Sequence, residues 1–224
     1  MYMIQKIKLR LFVVILGVIV AVSFVLRIWG NDFGLPYEYH VDEVQYVRQA
    51  ASMGESGIEP TMWNNPPFFK YILLLEYGTL YAFGRILGLY SSAADYGNLY
   101  FFNPTTLYML ARGTNAIFGS ITVLLIGIIG RDTFNDRVGL ISAWFLATCF
   151  LHVRDAHFAV NDMSATFFIL VVLFSSLKIL LHGERKWYIL AGVGLGFGFA
   201  TKYTVVLSVA PIIFCSFSFQ TCRF

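Results

Sequence analysis

The sequence predicts an all-α fold: a polytopic bundle of transmembrane helices with interfacial helices in its first outer loop. Hydrophobic residues make up 58% of the 224 residues and charged residues only 13%, and the mean hydropathy is +0.68. Several apolar runs approach the roughly 20 residues that a helix needs to cross a bilayer. This composition excludes a soluble globular domain, and the dispersed net charge of +3 gives no indication of a nucleic-acid partner.

The first span is predicted over residues 11–29. Lys6, Lys8 and Arg10 precede it, and Trp29 stands at its far end, where aromatic side chains favour the membrane interface. The apolar run is longer than the core of a cleavable signal peptide, and no small-residue cleavage site follows it. We therefore expect a retained signal anchor with its amino terminus in the cytoplasm.

Residues 30–105 are predicted to form an outer loop with interfacial helices. Between residues 31 and 65 the only base is Arg48, whereas basic residues are what retain a loop in the cytoplasm. Residues 42–53 have the pattern of a short helix along the membrane surface, with Asp42 as its N-cap and Gln45 completing a capping box. The acids of this stretch are Asp32, Glu38, Asp42, Glu43, Glu55 and Glu59.

Five further spans are predicted after the outer loop. Arg131 and Arg137 lie between the first two of them, and Arg185 and Lys186 lie between the third and the fourth. The positive-inside rule places both of these loops in the cytoplasm. The spans are residues 112–130, 138–152, 164–181, 188–201 and 203–219.

This topology determines how two ambiguous apolar regions are assigned. Residues 66–89 are apolar but contain three charged residues, and the number of crossings is consistent only if they lie at the outer interface. The last apolar stretch, residues 189–219, is too long for one span, so we expect two short helices that meet outside near Lys202. The turn 152–163 then lies on the same outer face as Asp42.

The acids near the outer ends of the spans are the candidate functional residues. Asp42, Glu43 and Asp162 stand just before or within helical patterns, beside hydrophobic runs. Ionisable groups at a bilayer boundary are costly and usually functional, which favours a membrane-embedded active site. The alternative is that Asp42 and Asp162 are plain helix N-caps, and the two interpretations are compatible. The three cysteines have the spacing of neither a disulfide framework nor a metal knuckle.

With these residues in place, the chain resembles the amino-terminal half of a GT-C-fold, lipid-phosphate-dependent glycosyltransferase of the protein O-mannosyltransferase and aminoarabinose-transferase type. No single motif is specific, but their order is, and the series extends to about Pro211. The motifs are Tyr39-His40-Val41-Asp42-Glu43, Asn65-Pro66-Pro67-Phe68-Phe69-Lys70, the segment 112–120 that begins Arg112-Gly113-Thr114, Gly130-Arg131, residues 154–162, and Gly192-Val193-Gly194-Leu195-Gly196 leading to Thr201-Lys202-Tyr203.

The resemblance implies transfer of a sugar from a polyprenyl-phosphate carrier to a protein, lipid or glycan acceptor on the outer face. It implies that Asp42 is the general base, with Glu43 orienting Asp42 or the acceptor. Asp162 is expected to position the acceptor or to pair with a cation. Arg154 and Lys202 are the candidates for binding the donor phosphate. The expected location is the plasma (inner) membrane, as a multi-pass protein.

The sequence also allows other roles for these candidate residues. In the alternative interpretation, Arg154 pairs with its neighbour Asp155 and Lys202 extends to the membrane interface. His40 and Asn65 are further outer-loop candidates. Relatives that bind zinc have a carboxylate just before the Pro-Pro step, where this chain has Asn64-Asn65, so no metal site is predicted, although a divalent cation is a conceivable cofactor.

The chain is also shorter than the proteins it resembles. We therefore expect that the carboxy-terminal part is missing and that the chain is truncated, which puts its activity in doubt. The functional alternatives are a polytopic transporter, for which charges near mid-bilayer and an inverted repeat are expected, or a non-catalytic membrane scaffold.

Overall fold

The computed structural model describes residues 2–221, and the predicted all-α fold is confirmed. Within this range the chain forms ten α-helices and one 3₁₀-helix, with no strand. The α-helices are α1 Tyr2–Ile28, α2 Val41–Ser56, α3 Phe68–Ile86, α4 Ala93–Phe102, α5 Thr105–Thr133, α6 Asp136–Thr148, α7 Phe150–Ala156, α8 Asp162–His182, α9 Arg185–Thr201 and α10 Val209–Thr221; the 3₁₀-helix is Tyr203–Ser208.

Among the described residues, three helices are long and apolar enough to cross a bilayer: Leu9–Ile28 of α1, α5 and α8. Helices α6 and α7 form a fourth apolar unit, but their axes differ by 56° across a break at Cys149. The predicted span 138–152 is thus a bent pair and not one straight helix. Helix α5 begins at Thr105, seven residues before the predicted start of its span, because Leu107 and Tyr108 are already packed in a core.

Helix α5 is packed against α1 and α6 along its carboxy-terminal half. Val123 of α5 is fully buried with Phe12 and Leu16 of α1 and Ala143 of α6. At Gly139 of α6 the backbones approach so closely that a Cβ atom would lie 2.5 Å from the carbonyl oxygen of Gly127. Small residues at such a contact are typical of helix pairs in membranes, where packing and not water exclusion drives association.

The outer loop is a folded layer on the other end of the bundle. Its core consists of α2 and α3 packed on the first turns of α5 and on the turn after α7. The buried members are Tyr46, Val47, Ala50, Phe69, Leu73, Tyr77, Leu107, Tyr108, Ala111, Ala159 and Val160. Helix α2 is therefore fixed to the bundle, and so are the acids at its start.

Lys70 of α3 is buried in this layer. Its Nζ donates to Gln49 Oε1 at 3.0 Å and to the carbonyl oxygen of Met62. Burial lowers the pKa of the Lys70 ammonium. Lys70 thus joins α3 to α2 and to the segment between them.

The predicted N-cap roles of the two aspartates are wrong. Helix α2 has His40 at its N-cap position and α8 has Asn161, and neither side chain makes a capping bond. Asp42 and Asp162 lie inside the first turns of these helices, so the proposed capping box of Asp42 is absent. An anion in the first turn is favoured by the helix dipole, and both carboxylates stay free for other partners.

The break at Lys202 is present as expected. Helix α9 ends at Thr201, Lys202 has an extended backbone, and the chain continues through the 3₁₀-helix into α10. The amide of Asn161 holds this break against the start of α8 by donating to the carbonyl oxygen of Thr201 at 2.7 Å. That α9 and α10 each cross the membrane stays a prediction.

The topology can be tested by cysteine labelling at two exposed positions. Asn98 of α4 and Phe134 after α5 are both exposed and are separated by the single span α5. In a background without native cysteines, we expect a membrane-impermeant maleimide to label Asn98→Cys from outside and Phe134→Cys only from the cytoplasm. Labelling of position 98 from the cytoplasm alone would mean that α3 crosses the membrane.

Candidate active site

One cavity of about 430 Å³ lies where α2, α7 and α8 meet. It contains three of the acids and one of the bases near the helix ends. Its lining residues are His40, Asp42, Arg154, Asp155, Phe158, Val160 and Asp162. The structure therefore brings together Asp42, Asp162, Arg154 and His40 from distant parts of the chain.

Lys202 reaches the same site through Asp162. The Lys202 ammonium bonds to Asp162 Oδ1, and both side chains are partly exposed. The second carboxylate oxygen of Asp162 has no part in this bond. Lys202 lies at the break between α9 and the 3₁₀-helix, where its backbone is extended.

Arg154 pairs with its neighbour Asp155, as the simpler interpretation of the sequence expected. Its Nε and one terminal nitrogen donate to Asp155 Oδ1 at 2.8 and 2.7 Å. The Arg154 side chain remains 50% exposed. Exposed ion pairs contribute little to stability, so an incoming anion can compete with Asp155 for this guanidinium at low cost.

Glu43 lies outside the cavity lining and is engaged elsewhere. It is 1% exposed, and its two oxygens accept from Nε and a terminal nitrogen of Arg112 at 2.8 and 2.9 Å. Glu43 Oε1 also accepts from the backbone N–H of Ala159 at 2.7 Å. This geometry is at odds with direct orientation of the acceptor by Glu43, because both carboxylate oxygens are used.

Arg112 is the main residue that the sequence analysis did not identify as part of the site. Besides binding Glu43, it donates to the carbonyl oxygens of Asn31 and Phe33 at 2.6 and 3.0 Å. It therefore ties together α5, the segment after α1, the start of α2 and the turn before α8. In the sequence, Arg112 was distinguished only as a charged residue at the start of an apolar run. It belonged to a motif to which no function was assigned.

The outer-loop candidates His40 and Asn65 have different environments. The His40 ring packs on Phe158 with a centroid separation of 4.3 Å, and both rings line the cavity. Asn65 is outside the lining and donates to the Tyr46 hydroxyl at 3.0 Å. Among the residues that the structure describes, no three His, Cys, Asp or Glu side chains are grouped so as to hold a metal ion.

Tyr46 lies between the two aspartates and the Asn65 turn. It is buried, and its burial raises the pKa of its phenol, as do the nearby charges of Asp162 and Asp42. The Tyr46 hydroxyl therefore stays protonated and neutral. Its proximity to both aspartates was not apparent from the sequence, which assigned no role to Tyr46.

These features define a class: a multi-pass helical membrane protein with carboxylates and cations around one cavity at its helix ends. Residues 108–222, just over half of the chain, match the family model of dolichyl-phosphate-mannose-protein mannosyltransferase. The chain belongs to this family of membrane glycosyltransferases, which confirms the predicted resemblance. No curated protein and no solved structure matches the chain. The matched region contains Arg112, Arg154, Asp162 and Lys202 but not Asp42.

The buried pair of Glu43 and Arg112 yields a stability prediction. Glu43→Gln should lower the free energy of unfolding by about 3–5 kcal/mol, because it leaves the Arg112 guanidinium buried without its counter-charge. The measurement is reversible unfolding in mixed micelles, followed by helical circular dichroism.

The matched control is Glu184→Gln. Glu184 immediately precedes α9 and is paired with Lys186 in the first turn of that helix, and both side chains are exposed, so this change should leave unfolding unaltered. Equal unfolding curves for Glu43→Gln and the unmodified chain would show that the buried pair does not hold the outer layer in place.

Proposed function

We propose that the chain acts in the transfer of a mannose-type sugar from a polyprenyl-phosphate carrier to an acceptor hydroxyl on the outer face of the plasma membrane. The observation that carries the proposal is the cavity at which Asp42, Asp162 and Arg154 meet, with Lys202 bonded to Asp162. Membership of the mannosyltransferase family supports the reaction type, since a lipid-linked sugar and an acceptor are what such an enzyme requires.

Asp42 is the proposed general base. It is exposed, lines the cavity and is fixed by the first turn of α2. In the proposed step its carboxylate takes the proton of the acceptor hydroxyl as that oxygen bonds to the anomeric carbon. The bond between the anomeric carbon and the phosphate oxygen breaks, and polyprenyl phosphate leaves with the electron pair.

Arg154 and Lys202 are the proposed partners of the donor phosphate. Each is paired with a carboxylate in the structure, Arg154 with Asp155 and Lys202 with Asp162. A phosphate entering the cavity competes with these carboxylates for the two cations. Neutralising the charge that develops on the leaving phosphate lowers the barrier to transfer.

The remaining candidates have supporting roles in this proposal. Asp162, once its bond to Lys202 is exchanged for one with the phosphate, can accept a hydrogen bond from the acceptor or the sugar. Glu43 acts indirectly, since its bonds to Arg112 and Ala159 hold the start of α2 and hence Asp42. The rings of His40 and Phe158, tilted by 33° at a centroid separation of 4.3 Å, offer an aromatic surface beside the acids.

A multi-pass arrangement with a cytoplasmic amino terminus fits this function, because the cavity then opens on the side where the lipid-linked donor presents its sugar. The acceptor can be a protein, a lipid or a glycan. The transporter alternative is disfavoured by position: the acids lie at helix starts beside an outer loop, whereas transporter sites lie near the bilayer midplane.

Asp42→Asn should abolish most of the transfer activity while leaving the fold intact. General-base assistance typically contributes ~10²–10⁴-fold, so we expect a rate loss of that size. Asn is nearly isosteric, and Asp42 makes no capping bond that it would lose. The measurement is transfer of radiolabelled mannose from polyprenyl-phosphate mannose to acceptor in liposomes that contain the purified chain.

Asp32→Asn is the matched control, since Asp32 is an exposed acid of the same loop that does not line the cavity. This variant should transfer at the unmodified rate. Normal turnover by Asp42→Asn would remove Asp42 from the reaction, and an absence of transfer by the unmodified chain would contradict the proposed activity itself.

Lys202→Met should raise the KM for the lipid-linked donor. A charged hydrogen bond is worth about 1.5–3 kcal/mol, which corresponds to an increase of roughly 10- to 100-fold. The KM for the acceptor should change little, because the substitution removes a phosphate partner and leaves Asp42 in place. Steady-state kinetics with donor and acceptor varied separately give both values.

Lys178→Met is the control for loss of an inter-helical lysine–aspartate pair. Lys178 of α8 binds Asp132 of α5 at 2.6 Å, far along α8 from Asp162. This change should leave both KM values as they are. A donor KM that is unchanged in Lys202→Met would exclude Lys202 from the donor site.

A further inference from the structure

Arg27 is a buried cation without a carboxylate partner. It lies near the outer end of α1 and is 0% exposed. Within residues 2–221, no carboxylate is within ion-pair distance of its guanidinium. A charge in such a position is costly unless polar groups surround it, and it usually serves a function.

The partners of Arg27 are carbonyl oxygens at the end of another helix. Its terminal nitrogens donate to the carbonyls of Leu146 and Ala147, each at 3.1 Å. These belong to the last turn of α6, whose carbonyls have no partner within their own helix. The positive charge also complements the negative end of the α6 dipole. Arg27 is thus a C-terminal cap supplied by a different helix.

The same guanidinium also binds the next helix. Arg27 donates to Nδ1 of His152 on α7 at 2.7 Å, and it is held in place by the Ser23 hydroxyl at 2.6 Å. Because His152 accepts through Nδ1, this ring is neutral. One side chain therefore spans both sides of the 56° bend between α6 and α7.

Gly119 of α5 provides the space for this side chain. A Cβ atom at Gly119 would lie 2.9 Å from Arg27 Nε and 3.0 Å from Arg27 Cδ, with His152 Cε1 at 3.5 Å. Only a residue without a side chain leaves the guanidinium where it is. Three elements, α1, α5 and the α6–α7 bend, therefore meet at Arg27.

The orientation of α7 determines the geometry of the cavity. Helix α7 and the turn that follows it supply four of the seven lining residues, Arg154, Asp155, Phe158 and Val160, and lead directly into Asp162 at the start of α8. We propose that Arg27 is a positioning residue for the transfer site, which fixes the α6–α7 bend and thereby places Arg154 and Asp155 opposite Asp42. This role in transfer rests on the function proposed above, whereas its effect on the bend does not.

The bend can be measured directly with a pair of spin labels. Ile141 of α6 and Leu151 of α7 are each 55% exposed and lie on either side of the bend. Labels introduced as unnatural amino acids at these positions leave the native cysteines in place. Double electron–electron resonance then reports the distance between α6 and α7 in the unmodified chain and in each variant.

Arg27→Met should shift or broaden this distance distribution and raise the donor KM at least several-fold. Arg27→Lys should also do so, because an ammonium retains the charge but cannot reach both α6 carbonyls and His152 in one plane. The control is Arg131→Met, which removes an arginine paired with Asp136 at the opposite end of α6 and should leave the distance unchanged.

If Arg27→Met does not fold, Gly119→Ala provides a second test of the proposal. Its Cβ displaces the guanidinium without deleting it, so the label distance should again change. Gly113→Ala on the same helix meets only the Ile28 Cδ1 atom at 3.9 Å and should have no effect.

An unchanged distance in the folded fraction of Arg27→Met and of Gly119→Ala would overturn the proposal, since a merely structural role lowers the yield of folded protein without altering the bend. A changed distance with no sugar transfer, even by the unmodified chain, would support the effect of Arg27 on the bend and overturn the proposed function. A changed distance with a raised donor KM supports both.

Discussion

The buried pair of Glu43 and Arg112 is the interaction on which the outer half of the structure depends. Arg112 lies about two turns into α5, and Glu43 lies on α2, which is otherwise attached by apolar packing and by the bond between Lys70 and Gln49. Removing either charge would leave the other uncompensated in an apolar surrounding, which costs more than the pair itself contributes. Because Glu43 also accepts from the N–H of Ala159, the same pair fixes the turn before α8.

The candidate site follows from where the helices are interrupted. Asp42 and Asp162 occupy first turns, Arg154 belongs to a short helix after a bend, and Lys202 stands at a break. Helix ends present unpaired backbone groups and admit charged side chains that a continuous span excludes. The proposed transfer, which brings a charged phosphate and a polar sugar together, needs such a place. The breaks supply it at one end of the bundle.

Two arginines organise this end of the bundle in different ways. Arg112 is compensated by a carboxylate, whereas Arg27 is compensated by the carbonyl oxygens of α6 and by a neutral histidine. In both cases the planar guanidinium contacts several elements at once, which a lysine cannot do. Arg112 sets the position of α2, which carries Asp42, and Arg27 is proposed to set the direction of α7, which carries Arg154. Both sides of the cavity are thus held by buried cations.

The sequence by itself determined the all-α membrane class, the helix over residues 42–53 and the break at Lys202, because apolar runs and their interruptions are local properties of the chain. The N-cap roles were wrong since one position decides whether a carboxylate caps a helix or stands in its first turn. Only the tertiary structure decided the partners of Glu43 and Arg27, which lie 69 and up to 125 residues away. A hydropathy pattern shows that a charge lies in or beside an apolar run, but only the packing of the helices determines whether it is buried and which group compensates it.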